Sequence, residues 1–368
     1  MATQYRFGVE PITCHAWNKE QTQLALSPNN DEVHIYGLSG GQWVKQHTLS
    51  EHTQRVTGID WAPKSNRIVT CGVDRNAYVW TFNGTKWEPV LVILRINRAA
   101  TCVKWSPEEN KFAIGSGARL ISVCYYESEN NWWVSKHIKK PIRSTVTCLD
   151  WHPNNYLLAC GSSDFKTRVY SAYVKEIESK PSANEWGSKL PFAAMLGEYS
   201  NGGGGWVHAV CFSSSGTKLA WVGHDSSISI VDAANGFNIL TAKTSYLPFT
   251  SCLWVTENSL VVGGYDNLPL LFNCSQGAIN FVNKLDIPKK SGGGSMSAMK
   301  RFQQMDTRGR DSEDSKVVTL HQNAIRQLTL HSGSKSSCAK FASGGNDGQI
   351  LVWDIRTLES QIAGLTIS

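Results

Sequence analysis

His52, Thr70, Asp74 and Trp80 recur in kind as His321, Ser343, Asp347 and Trp353 near the end of the 368-residue chain. Each set holds a hydroxyl, an imidazole and a carboxylate, the groups from which hydrolases build a nucleophilic relay. With the indole N–H added, the same groups can form a closed hydrogen-bond chain in which every donor has an acceptor. The recurrence favours the second use. An active site is built once, whereas a set that returns at matching positions of a repeat belongs to the repeat, so these eight residues are expected to brace structure.

Other chemistry finds little support. The ten cysteines are scattered without a CxxC pair, and most sit in apolar runs such as ITCHAW, ATCVKW and VTCLDW, which reads as buried reduced thiols. The histidines show no ligand spacing such as HExxH, so no metal and no cofactor are expected. NGGGGWV, residues 201–207, lacks the Gly-Lys-Ser/Thr of a phosphate-cradling loop and reads as a flexible linker. A net charge of +6 is spread along the chain, short of a nucleic-acid footprint. No run of eighteen apolar residues offers a membrane span, and MATQYRFGVEP has neither part of a secretion signal. The cytosol is the expected compartment.

The elements that position the two sets come from an internal repeat. CHAWN, GIDWAP, VKWSP, LDWHP, VCFSS and CLWVT align Trp17, Trp61, Trp105, Trp151, Phe212 and Trp254, with Leu330 of AIRQLTLHS as a seventh match. The steps are 44, 44, 46, 61, 42 and 76 residues, a period of about 44 with two insertions. After each aromatic come a polar turn, a short apolar run and an aspartate, as in RIVTCGVD, LLACGSSD, KLAWVGHD, SLVVGGYD and FASGGND. A bulky residue six positions later closes a third strand, and segments such as KWEPVLVIL and WWVSKHI supply a fourth. Four strands per unit predict an all-β, seven-bladed β-propeller spanning residues 1–368 as one domain, with six blades the alternative count. The N-terminal strand around Gln4 to Val9 is expected to close the ring beside the last blade, with QIAGLTIS as the competing segment.

These units resemble the WD-repeat family, with GGNDGQILVWDIRTLES the most typical. The others depart from the pattern: only Trp353-Asp354 gives the dipeptide, and GSGARLISVCYY lacks the turn aspartate.

Two stretches exceed the period. Lys175 to Gly205 holds a plausible outer strand, KLPFAAMLGEY, in a loop that docks on its own blade, or else offers Trp186 as an interface anchor. The second is SGGGSMSAMKRFQQMDTRGRDSED, within an insert over 288–316 between units six and seven. It predicts an amphipathic helix over about 296–306, with Ala298, Met299, Phe302 and Met305 on one face and Lys300 and Arg301 on the other. So short a helix needs a surface, either its own propeller or a partner. Seven Lys/Arg against four Asp/Glu between Pro288 and Lys316 favour an acidic partner. KHIKKPIR, residues 136–143, is the densest basic run, either a solvated strand edge or a docking site for an acidic peptide.

The insert SAMKRFQQMD, together with ITCHAWNKEQTQLALSPNNDEVHIY and GIDWAPKSNRIVTCGVDRNAYVW, is similar to the WD-repeat subunits of the actin-related protein 2/3 complex. That resemblance implies a non-enzymatic subunit of an assembly that nucleates a daughter filament on an existing one. It implies contacts with the actin-related proteins and the smaller subunits. It also implies an insert touching the mother actin filament through Met296, Met299, Lys300, Arg301, Phe302 and Met305. Lys139, Lys140 and Arg143 become candidates for the acidic tails of nucleation-promoting factors. The implied place is the cytoplasm, with the actin cytoskeleton at the cortex and lamellipodia, and a nuclear pool is allowed. The alternative is a generic WD-repeat adaptor such as a ubiquitin-ligase substrate receptor.

Overall fold

In the computed structural model, residues 2–275, 277–286, 319–362, 365 and 367 are described. They form seven four-stranded antiparallel sheets. The innermost strands are Cys14–Trp17, Val56–Trp61, Ala100–Trp105, Val146–Trp151, Val207–Phe212, Phe249–Trp254 and Ile325–Ser334. Six of the aligned aromatics end the first six of these strands, and Leu330 lies within the seventh. The chain is a seven-bladed β-propeller. The expected helix over about 296–306 falls outside the described residues.

The hydrophobic core is divided among the seams between blades. Val69, Val79, Val103, Trp105 and Phe112 fill the seam of blades 2 and 3, while Leu157, Val169, Val210, Phe212 and Trp221 fill that of blades 4 and 5. Each sheet therefore buries both faces. That explains strands such as Lys111–Ser116 and Leu157–Ser162, in which every residue is buried.

Closure is made by Thr3–Arg6, which pairs antiparallel with Gln349–Asp354 from Thr3 opposite Val352 to Arg6 opposite Gln349. The last sheet thus takes its outermost strand from the other end of the chain. QIAGLTIS is not that strand. Beyond Asp354 the chain turns into a helix, Ile355–Gln361, whose first turn is capped by the Asp354 carboxylate accepting from the Thr357 N–H at 3.0 Å. Its Ile355 and Leu358 pack into the seam of blades 6 and 7.

A ring of side-chain bonds surrounds the end of the central channel where the inner strands begin, here the upper end. The second residue of five inner strands or their lead-in is threonine: Thr13, Thr57, Thr101, Thr147 and Thr250. Each donates its hydroxyl to the first carbonyl of the next blade. Thr57 reaches the Ala100 carbonyl at 2.9 Å and Thr101 the Val146 carbonyl at 2.6 Å, while Thr13, Thr147 and Thr250 bond the carbonyls of Val56, Val207 and Ile325.

One seam carries a buried charge. The Lys111 ammonium of blade 3 donates to the Ala172 carbonyl at 2.9 Å and to Glu178 at 2.6 Å, and Glu178 also accepts from Asn155 and from the Val174 N–H. Both charged side chains are almost fully buried. Burial lowers the lysine pKa, and the facing Glu178 carboxylate opposes the shift. Because an orphaned buried ion costs far more than the intact pair contributes, Glu178→Ala is expected to lower unfolding free energy by about 3–5 kcal/mol. The double replacement Lys111→Met with Glu178→Leu is expected to recover most of that loss. Urea denaturation of the three proteins checks both statements.

Candidate functional site

The two repeated sets close into hydrogen-bond chains inside their own blades. His52 Nδ1 lies 2.9 Å from Asp74, His52 Nε2 lies 2.8 Å from Thr70 Oγ1, and the Trp80 indole donates to the same hydroxyl at 3.0 Å. In blade 7, His321 lies 3.1 Å from Asp347 and 2.7 Å from Ser343, to which Trp353 donates at 2.9 Å. Every group is satisfied when the indole donates to the hydroxyl, the hydroxyl to the imidazole and the imidazole to the carboxylate. Thr70 and Ser343 are fully buried, so no substrate atom can reach either oxygen. The glycine two residues before each aspartate has a steric cause. A Cβ on Gly72 would sit 2.9 Å from His52 Nδ1, and one on Gly345 would sit 2.7 Å from His321 Nδ1.

The histidine bond helps hold the aspartate pKa down against burial. Burial alone would raise the carboxyl pKa of Asp74 and Asp347, but bonds from His52 and His321 and from backbone N–H groups hold both below the ordinary value. Among the described residues, Asp266 has no histidine partner; it accepts from the Leu247 N–H and is pushed up by burial. Blade 5 substitutes Asn201, which donates to Asp225 and Ser227. Two glycines of NGGGGWV are therefore packed against Asp225, while Gly202 and Gly204 face open space: a Cβ on Gly205 would lie 2.6 Å from the Asp225 nitrogen.

Blade 3 has no aspartate at this turn, and Ile96 stands where blade 2 has His52, nine residues before the strand-ending tryptophan. A cavity of about 530 Å³ opens there, lined among others by Arg95, Ile96, Asn97, Arg119, Lys139 and Ile142. Arg95 and Arg119 both adopt left-handed backbone conformations, at φ 53° and 59°. Among the described residues, none of the three cations is paired with a carboxylate. Lys139 lines the cavity, whereas Lys140 and Arg143 do not; Arg143 gives its backbone N–H to Asp164 at 3.0 Å. Sequence reading missed Arg95 and Arg119, although the absent aspartate of GSGARL marked the place. Lys136 of the same basic run is paired with Glu176 at 2.7 Å.

Trp186 is no interface anchor. It is buried, donates to the Gly216 carbonyl at 2.9 Å and packs edge-on against Phe212, so its loop docks on blades 4 and 5. At the lower end of the channel, Asp60 accepts from the Trp105 N–H at 2.7 Å and faces Lys104 at 3.6 Å. Asp150 accepts from the Phe212 N–H and from Lys335, each at 2.8 Å. No group of three or more His, Cys, Asp or Glu among the described residues is arranged to hold a metal ion, and no described helix is long and apolar enough to cross a membrane. Met296, Met299, Lys300, Arg301, Phe302 and Met305 lie outside the described residues.

The WD domain, G-beta repeat family model matches residues 43–81, 135–171 and 313–354. The chain is 60% identical over 366 residues to actin-related protein 2/3 complex subunit 1A-B of Xenopus laevis, covering 99% of each protein. Subunit 1 of that complex in Schizosaccharomyces pombe is 44% identical, covering 94% of this chain and 97% of its own, and subunit 1B of Arabidopsis thaliana is 41% identical, covering 97% of each. This chain belongs to the actin-related protein 2/3 complex subunit 1 family. The similarity to these family members extends well beyond the stretches matched as repeats, so the insert and the third blade lie inside the shared region.

Four histidines give the propeller a defined response to acid, His152 among them, lowered by burial. Burial, with Lys104 nearby, lowers His15 to about 3; burial, with His224 and Arg326, lowers His208 to about 4; burial, with Lys340, lowers His331 to about 4. Each folded value lies below that of the unfolded chain. Between about pH 6.5 and pH 4 the unfolded chain binds protons that the folded chain refuses, and stability falls as pH falls. The urea midpoint is expected to drop steadily from pH 7 to pH 5, and His15→Gln is expected to flatten that slope.

Proposed function

We propose that the chain is a non-catalytic structural and regulatory subunit of the actin-branching nucleation complex, holding the actin-related proteins and the smaller subunits in place. The observation that carries this reading is the 60% identity over 99% of the chain to a protein named as subunit 1 of that complex. The paired channel carboxylates and the buried hydroxyls support a binding role over a catalytic one. On this reading the protein works in the cytoplasm with the actin cytoskeleton.

The insert is assigned the contact with the mother filament, through Met296, Met299, Phe302 and Met305 with Lys300 and Arg301 supplying charge. The basic cavity of blade 3 is assigned the acidic tails of nucleation-promoting factors. Arg95, Arg119 and Lys139 gather there without a carboxylate among the described residues, and Lys140 and Arg143 extend the positive run beside it. Unpaired cations around a recess raise the local concentration of an acidic segment and steer its approach.

In a reconstituted complex, Met299→Asp with Phe302→Asp is expected to leave subunit co-purification intact and to lower branch density on mother filaments. Unchanged branch density would remove the insert from the mechanism. Arg119→Glu with Lys139→Glu is expected to weaken an acidic-tail peptide about tenfold in a fluorescence anisotropy titration, with the effect shrinking as salt rises. Affinity purification that recovered cullin adaptors and no actin-related proteins would instead favour a ubiquitin-ligase adaptor.

A further inference from the structure

The threonine ring at the upper channel mouth has two gaps. In blades 5 and 7 the second position of the inner strand holds His208 and Arg326 where the other five blades have threonine. The gap between blades 7 and 1 is filled by other bonds. The His15 N–H donates to Gln327 at 2.9 Å, His15 Nε2 lies 2.9 Å from Thr329, and the Ile12 N–H donates to the Gly345 carbonyl at 3.1 Å.

Among the described residues, the gap between blades 5 and 6 has no such polar filling. His208 turns to its own blade and bonds His224 at 3.0 Å. The polar bonds across this seam gather at its lower end: Ser215 to Glu257 at 2.6 Å, Lys218 to Asn258 at 2.8 Å, and the Trp254 indole to the Cys211 carbonyl at 2.9 Å. At the upper end the seam is held by apolar packing, Val222 and Ile228 of blade 5 clustering with Phe249 and Leu270 of blade 6, while His224 faces Tyr265 with ring centroids 6.4 Å apart and Trp206 beside His224 is half exposed.

We infer that the seam between blades 5 and 6 is a built-in hinge, along which blade 6 tilts open at the upper channel mouth while its lower end stays pinned. The absent threonine bond removes a contribution of about 1 kcal/mol at one end of the seam, and local opening follows where such bonds are fewest. His208 is the residue that sets it, because its ring is committed to His224 and cannot replace the missing hydroxyl.

The third position of the inner strands supplies the probe. Cys14, Cys102 and Cys148 stand there in blades 1, 3 and 4, and the matching residue of blade 5 is Ala209. Cys148 meets Val207 of the next blade over Gly161, so its thiol reports on opening of its own seam. The test is pulse labelling of the full chain with a neutral maleimide, read by mass spectrometry of the modified peptides. In Ala209→Cys, the new thiol is expected to react faster than Cys148. Adding His208→Thr to that variant, which restores the hydroxyl, is expected to slow the same thiol about fivefold. In the wild-type background, Thr147→Val is expected to speed labelling of Cys148 by a similar factor. The proposal is overturned if His208→Thr leaves the rate at position 209 unchanged. It is equally overturned if Thr147→Val leaves Cys148 as protected as before, a measurement that stands even where Ala209→Cys fails to fold.

Discussion

A ring of blades has no natural end, so the whole assembly depends on the place where the chain meets itself. Here four residues, Thr3–Arg6, complete a sheet begun more than three hundred positions later, and the hydrophobic seam behind them is made jointly by Ile12, Leu24 and Leu26 from one blade and Ala342, Ile350 and Val352 from another. Without that pairing the last blade would be left with an open edge and its neighbour with an uncovered face. Every other seam is shared by blades consecutive in the chain. The closing seam alone pays the full entropy of bringing distant segments together. The extra bonds from His15 to Gln327 and Thr329 stand where that cost falls.

Within that ring, polar groups take two distinct states. At the turns of blades 2 and 7, imidazole, hydroxyl, indole and carboxylate consume one another's bonding capacity, and nothing remains for a ligand. At the turn of blade 3 the brace is missing, and three cations surround the space it would have occupied. A repeat architecture makes such a contrast readable, because five other copies carry an aspartate at that turn, Asp74, Asp164, Asp225, Asp266 and Asp347.

Much of this was legible in the sequence. The aromatic period located all seven inner strands, because a residue ending a strand buried on both faces must be large and apolar. The aspartates located the turns, because only a short carboxylate there can meet both a backbone N–H and a histidine. Other features were hidden for physical reasons. NGGGGWV has the composition of a linker, and only the approach of Asp225 shows that Gly203 and Gly205 make room for a neighbour. Trp186 sits in a loop rich in polar and turn-forming residues, and its burial depends on Phe212 and Gly216 from another blade. The helix Ile355–Gln361 is one residue short of eight and has little periodicity to show; its signal was the capping aspartate. Arg95 and Arg119 are twenty-four positions apart, and only the sheet brings them to one recess.

Lys335 spans the axis of the molecule. It sits at the tip of the turn between Ile325–Ser334 and Ser337–Gly345, and from there it crosses to strands on the far side of the bore, ending on Asp150 and the Phe212 carbonyl. Burial opposes its charge, but the Asp150 carboxylate beside it keeps the ammonium protonated more firmly than a free lysine. One ion pair thus joins three blades across the lower end of the bore. Opposite sides of the ring are therefore coupled directly, without passing through the blades that lie between them.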